Sequence, residues 1–122
     1  MSSFNLLLII AAVLIIAIGQ LIFKFAALNF IVIPGHSYVE FVRYNIFVIS
    51  LVGLALILYA LSTVAWLIAL RTVPLSVAYL FNGLAFVIVP IAAVIIYGEI
   101  LPRYFYLGSL MTIAGVVLVT IR

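Results

Sequence analysis

Apolar residues run along this chain in four long blocks, and polar residues gather mainly at the joins. The first block extends from Phe4 to about Phe30 and is interrupted in its second half by Gln20, Lys24 and Asn29. Pro34-Gly35-His36-Ser37 reads as a turn, and the stretch through Glu40, Arg43 and Asn45 is the most polar of the chain. The second block, Ile46 to Leu70, holds no charge, and Arg71-Thr72-Val73-Pro74 ends it. The third runs from Pro74 to Tyr97 with Pro90 inside it. After Gly98-Glu99-Ile100-Leu101-Pro102-Arg103, the fourth runs from Tyr104 to Ile121 and closes on Arg122.

A helix crosses the ~30 Å hydrocarbon core with about 20 apolar residues. An open strand there would leave backbone groups unpaired, so each block is expected to be helical. The blocks therefore predict an all-α membrane protein with four transmembrane helices, at about 4–30, 46–70, 74–97 and 104–121. Short connections make neighbours antiparallel, giving an up-down bundle in one domain, 1–122. Pro74 suits a helix start, where the amide has no intrahelical partner. Pro90 is expected to kink the third helix. The first block lacks a basic leading region and exceeds the usual apolar length of a signal peptide, so it reads as a retained helix.

Composition sharpens this. The chain has 122 residues, 71% hydrophobic and 6% charged, whereas about a quarter of an average soluble chain is charged. Too few charges remain to solvate a globule. The net charge of +3 is dispersed, unlike the clustered Lys and Arg of a nucleic-acid surface. There is no cysteine and one histidine, His36, so no metal site, disulfide or thiol chemistry is expected. Nor is there a nucleophile–base pair, so an enzyme is not expected, and no cofactor is called for. Arg71 and Arg122 flank one side of the membrane, and Lys24, Arg43 and Arg103 the other. Two against three leaves the orientation open under the positive-inside rule.

The ionisable residues point to a substrate class. No acid lies in the middle of a block: Glu40 falls in the first connection and Glu99 at the end of the third helix. Proton-coupled export of cations calls for a carboxylate at membrane depth, so that chemistry is disfavoured. Lys24 shares a helix face with Gln20, four residues earlier. The pair suits an anionic group such as a phosphate, or else Lys24 snorkels to the headgroups. Tyr79 and Asn82, bordered by Ser76 and Gly83, occupy neighbouring surface on the third helix. They read as substrate contacts, with Asn82 alternatively an interhelical tie and Tyr79 an interfacial anchor. Glu99 and Arg103, four apart, read as a surface pair. Arg43, Arg103 and Lys24 on one side form a cationic rim for an anionic headgroup, or ordinary solvated charge. Gly108 and Gly115, with Ser109 and Ala114, make a small-residue stripe suited to helix association, hence a dimer interface.

Taken in order, Gly19-Gln20-Leu21 with Lys24, Val73-Pro74-Leu75-Ser76-Val77-Ala78-Tyr79, Gly98-Glu99, and Gly108 through Gly115-Val116 resemble the small multidrug resistance and drug/metabolite transporter superfamily. In its multidrug branch a glutamate stands three residues before the first-helix glycine, where this chain has Ile16. A tryptophan stands three after the third-helix tyrosine, where this chain has Asn82. The aminoarabinose-phosphoundecaprenol flippase subunits are more similar: they share Gly-Gln-Leu followed by Lys, Ala-Tyr in the third helix and Pro-Arg before the fourth. The interval from Glu99 to Pro102 is shorter here than in that type.

This resemblance implies flipping of a polyprenyl-phosphate-linked sugar across the bacterial inner membrane by homodimers or by pairs of related subunits. On that reading Lys24 and Gln20 engage phosphate or sugar, Tyr79 and Asn82 line the sugar path, and the acyl chain stays in lipid. Two alternatives stand beside it. One is a proton-coupled exporter of cations or metabolites that uses Glu99. The other is a non-transporting membrane subunit that scaffolds a partner.

Overall fold

A computed structural model describes residues 3–121, without the side chain of residue 120. Arg122, expected to flank the last helix, lies outside the described residues. Every regular element among them is helical: α1 (Ser3–Asn29), α2 (Tyr38–Tyr44), α3 (Ile46–Leu70), α4 (Leu75–Phe81), a 3-10 turn (Asn82–Leu84), α5 (Ala85–Tyr97) and α6 (Phe105–Thr120). Three segments, Ser3–Asn29, Ile46–Leu70 and Leu75–Tyr97, are long and apolar enough to cross a membrane. α6 is also apolar but has 16 residues, a rise of about 24 Å at 1.5 Å per residue. The chain is a multi-pass helical membrane protein, with three helices of spanning length and a shorter apolar one among the described residues.

Contacts along α1 set the topology. Asn5 near its start donates to the Thr72 hydroxyl just after α3. Gln20 reaches Tyr59 in α3, and the end of α1 is tied to Asn45 at the start of α3. α3 therefore runs antiparallel to α1. Tyr97, ending α5, bonds to Leu21 of α1, so α5 runs parallel to α1, as an up-down order requires.

The α1–α3 contact is built from small residues repeating every seven positions. Ala12, Gly19 and Ala26 are buried on α1, and Val48, Ala55, Ser62 and Ala69 on α3. A seven-residue repeat keeps one seam facing the partner helix, and small side chains let the backbones approach in lipid, where no hydrophobic drive separates helix from solvent. At Gly19 a Cβ would lie 2.8 Å from a Tyr59 ring carbon, so the ring occupies the space a side chain would need. The buried cluster of Ile9, Val13, Ala69, Val73, Ala78, Phe81 and Val116 sits toward the opposite end of the bundle, where α1 begins and α3 ends.

Three elements differ from expectation. The first connection contains α2, capped by the Ser37 hydroxyl, which accepts from the Glu40 amide at 3.3 Å; Ser37 and Glu40 hold the spacing of a capping box. The third helix is not continuous over 74–97. It passes through the 3-10 turn at Asn82–Leu84, while α5 continues through Pro90. The turn coincides with the close approach of α6, where a Cβ on Gly83 would lie 2.9 Å from Thr112. Lastly, α6 packs on α4 and the 3-10 turn but makes no comparable contact with α1 or α3.

Candidate functional site

The elements leave an open groove along α1, α4 and α5. A cavity of about 460 Å³ is lined by Ile16 and Gln20 from α1, Tyr79 and Asn82, and Ala85, Phe86, Val89 and Pro90 from α5. Tyr79 and Asn82 also border an adjoining pocket with Ser62, Thr63 and Trp66 of α3. A third, with Met111, Thr112 and Gly115 of α6, shares the same two residues. Tyr79 is 67% exposed and Asn82 half-buried. The structure thus gathers Gln20, Tyr79 and Asn82 at one groove.

Hydrogen bonding shows what this groove offers a ligand. The Ser62 and Thr63 hydroxyls both donate to the Tyr59 carbonyl of their own helix, each at 2.8 Å. Gln20 Nε2 donates to the Tyr59 hydroxyl at 2.6 Å, and no hydrogen bond engages the Gln20 carbonyl oxygen among the described residues. The Asn82 carboxamide makes no interhelical hydrogen bond among the described residues. An amide without a partner in lipid seeks one, and the groove is where a ligand with hydroxyl groups would supply it. Ile16 adds an apolar wall, at the position where the multidrug branch the sequence resembles carries a glutamate.

The charged residues are arranged differently from the sequence expectation. Glu99 turns from Arg103 to Lys24: Lys24 Nζ and Glu99 Oε1 are 3.0 Å apart, with the two side chains 45% and 43% exposed. Arg103 instead lies over the Tyr104 ring, 5.3 Å from its centroid. The reason is Gly98, which ends α5 in the left-handed conformation at φ 66°. It turns the chain back toward α1 before Pro102 and Arg103 begin the approach to α6. Lys24 stands one helical turn beyond Gln20, on the same face. Arg43 is exposed near the end of α2, which the Asn45–Ile31 bonds place at the same end of the bundle. The three cations share that end, but Lys24 is neutralised there and Arg43 and Arg103 do not join it in one cluster.

Three residues outside the sequence-based set support the site. Tyr59 holds Gln20 and stacks on Phe23, ring centroids 5.5 Å apart. Tyr97 donates to the Leu21 carbonyl at 2.6 Å and so fixes the end of α5 against α1. Asn45, 1% exposed, accepts from the Ile31 amide at 2.6 Å and donates to the Ile31 and Phe41 carbonyls at 2.8 and 2.9 Å. His36 pairs with Glu40 at 3.3 Å and stacks on Tyr44. No metal-binding cluster occurs among the described residues. Gly108 and Gly115 of α6 both face open space, with nothing within 4 Å of a built Cβ.

No protein-family model matches the chain, and no solved structure matches it. Curated relatives do. The chain is 41% identical over 78 residues to the probable 4-amino-4-deoxy-L-arabinose-phosphoundecaprenol flippase subunit ArnF of Proteus mirabilis, covering 62% of this chain and 59% of that protein. It is 39% identical over 66 residues to the probable flippase subunit ArnE of Salmonella typhimurium, covering 54% of this chain and 60% of the relative. The same figures hold for ArnE of Salmonella paratyphi B. The matches span about 60% of the length of these relatives. This similarity bears out, for the chain as a sequence, its resemblance to the aminoarabinose-phosphoundecaprenol flippase subunit type.

Proposed function

We propose that this chain is one subunit of a flippase for a polyprenyl-phosphate-linked sugar, acting in the bacterial inner membrane beside a second copy or a related small subunit. The observation that carries this reading is the lateral groove with Gln20, Tyr79 and Asn82 on its wall and Ile16 beside them. Such a groove lets a polar headgroup cross along the protein while the polyprenyl chain stays in lipid. Gln20, Tyr79 and Asn82 meet sugar hydroxyls, and Lys24, at the same end of the bundle as Arg43 and Arg103, receives the phosphate at the groove's end. The curated relatives are named as flippase subunits for such a lipid, which supports both the substrate class and pairing with a related subunit. The reading assigns no catalysed bond change and no cofactor. Because α6 leaves Gly108 and Gly115 open, the partner seats there and closes the groove from the side.

Reconstitution tests this. Proteoliposomes holding the chain, alone and with a related small subunit, are loaded with a labelled polyprenyl-phosphate aminosugar in one leaflet. Transfer to the other leaflet is expected, slowed at least tenfold by Asn82→Leu. Absence of transfer in either preparation rejects the reading and leaves a scaffolding subunit in its place. The exporter reading is opposed by the engagement of Glu99 with Lys24; substrate-driven proton release that is lost in Glu99→Gln would restore it.

A further inference from the structure

We infer that the Lys24–Glu99 ion pair is an exchangeable latch that selects a zwitterionic headgroup: Lys24 takes the phosphate and Glu99 takes the amine of the sugar. This rests on the flippase reading and adds to it a role for the acid. The pair lies one turn beyond Gln20 on α1, at the end of the groove, so a headgroup entering or leaving that end meets both charges. Close to half of each side chain is exposed. Exchanging one partner for another therefore costs little desolvation, unlike a buried pair, whose opening leaves an unpaired charge.

The supporting backbone also favours exchange. α5 does not need the ion pair to stay on α1, because the Tyr97 hydroxyl already holds it through the Leu21 carbonyl at 2.6 Å. Glu99 lies beyond the helix, after Gly98, in a segment without regular structure whose next residue, Ile100, is 96% exposed. Rotation about Gly98 moves the carboxylate without moving α5. Two opposite charges that satisfy one another without ligand can then separate to bracket a headgroup with an anionic phosphate at one end of its sugar ring and a cationic amine at the other. A phosphate lipid without an amine would leave Glu99 unpaired beside a second anion, and like charges at close range disfavour binding. The pair thus blocks simple polyprenyl phosphates and admits aminosugar phosphates.

The test compares two probes in nanodiscs: a synthetic polyprenyl-phosphate aminosugar and the same lipid with a hydroxyl in place of the amine. Wild-type protein should bind the amine form more tightly. Glu99→Gln should bind the hydroxyl form about twofold to fivefold more tightly than wild type, the range for release of an exposed ion pair. It should also lose the preference for the amine. Glu99→Asp should retain that preference, and Lys24→Gln should weaken both lipids. Thermal unfolding of each variant in the same nanodiscs checks that the fold is intact. If Glu99→Gln keeps the amine preference and gains nothing for the hydroxyl form, the latch is wrong and the flippase reading stands. If wild type binds neither lipid, the flippase reading itself fails.

Discussion

Small residues recur every seven positions on α1 and α3 and again on α6, yet the two regions use them oppositely. On α1 and α3, Ala12, Gly19, Ala26, Ala55, Ser62 and Ala69 are buried against the facing helix. On α6, Gly108 and Gly115 meet nothing, and the helix is held through its neighbouring face by Val116 on the Phe81 cluster and by Thr112 against Gly83. In lipid the attraction between helices comes from close van der Waals fit and hydrogen bonds. A small-residue stripe therefore indicates that something packs closely, but not whether the partner is in the same chain. The first stripe builds the bundle, and the second lies open within the chain.

The comparison can be broken most severely at Gly19. Gly19→Leu places a side chain where the Tyr59 ring now sits, and should destabilise the chain by about 3 kcal/mol, the upper part of the range for overpacking. Thermal unfolding in detergent measures it, and an unchanged midpoint would show that α1 and α3 are not in this register. Asn45→Ala comes next. It removes the bracket on the Ile31 amide and carbonyl, for an expected loss of about 2 kcal/mol, as for buried groups left unsatisfied. Faster proteolysis between α1 and α2 should accompany it. The smallest effect on stability is expected for Gly115→Leu, under about 0.5 kcal/mol, because a side chain there enters open space. Native mass spectrometry should nevertheless show loss of the paired form. A pair that survives Gly115→Leu together with Gly108→Leu would remove α6 as the interface.

The stripe that builds the bundle was the less legible of the two, for a simple reason. Alanine and valine at 12, 48, 55 and 69 carry no chemistry, so the seven-residue repeat in α1 and α3 passes unnoticed beside the glycines of α6, although its spacing was available to be read. The Ser37–Glu40 spacing is also that of a capping box, but the turn signal just before it and the polar residues around it read as a plain connection. Gln20, Tyr79 and Asn82 were each visible as polar residues in apolar helices. Their convergence on one groove was not, because it depends on how α4 is rotated against α1. The Glu99–Arg103 pairing failed because nearness along a connection does not say which way it turns, and left-handed Gly98 turns Glu99 toward Lys24 of α1.

The sequence by itself determined that the chain is helical and membrane-embedded. The lengths of its apolar blocks and the scarcity of charge leave the backbone no other way to satisfy its hydrogen bonds in lipid. It also determined that no acid stands in the middle of a span, since that requires only knowing where the spans are. Tertiary structure alone decided the partner of Lys24, the holder of Gln20 and which small-residue stripe remained open. Those depend on the rotation and depth of each helix against its neighbours, which are set by packing between residues far apart in the chain. The four apolar blocks fix the solvent and the helical state of the backbone, and the contacts among them place the charges that a substrate would meet.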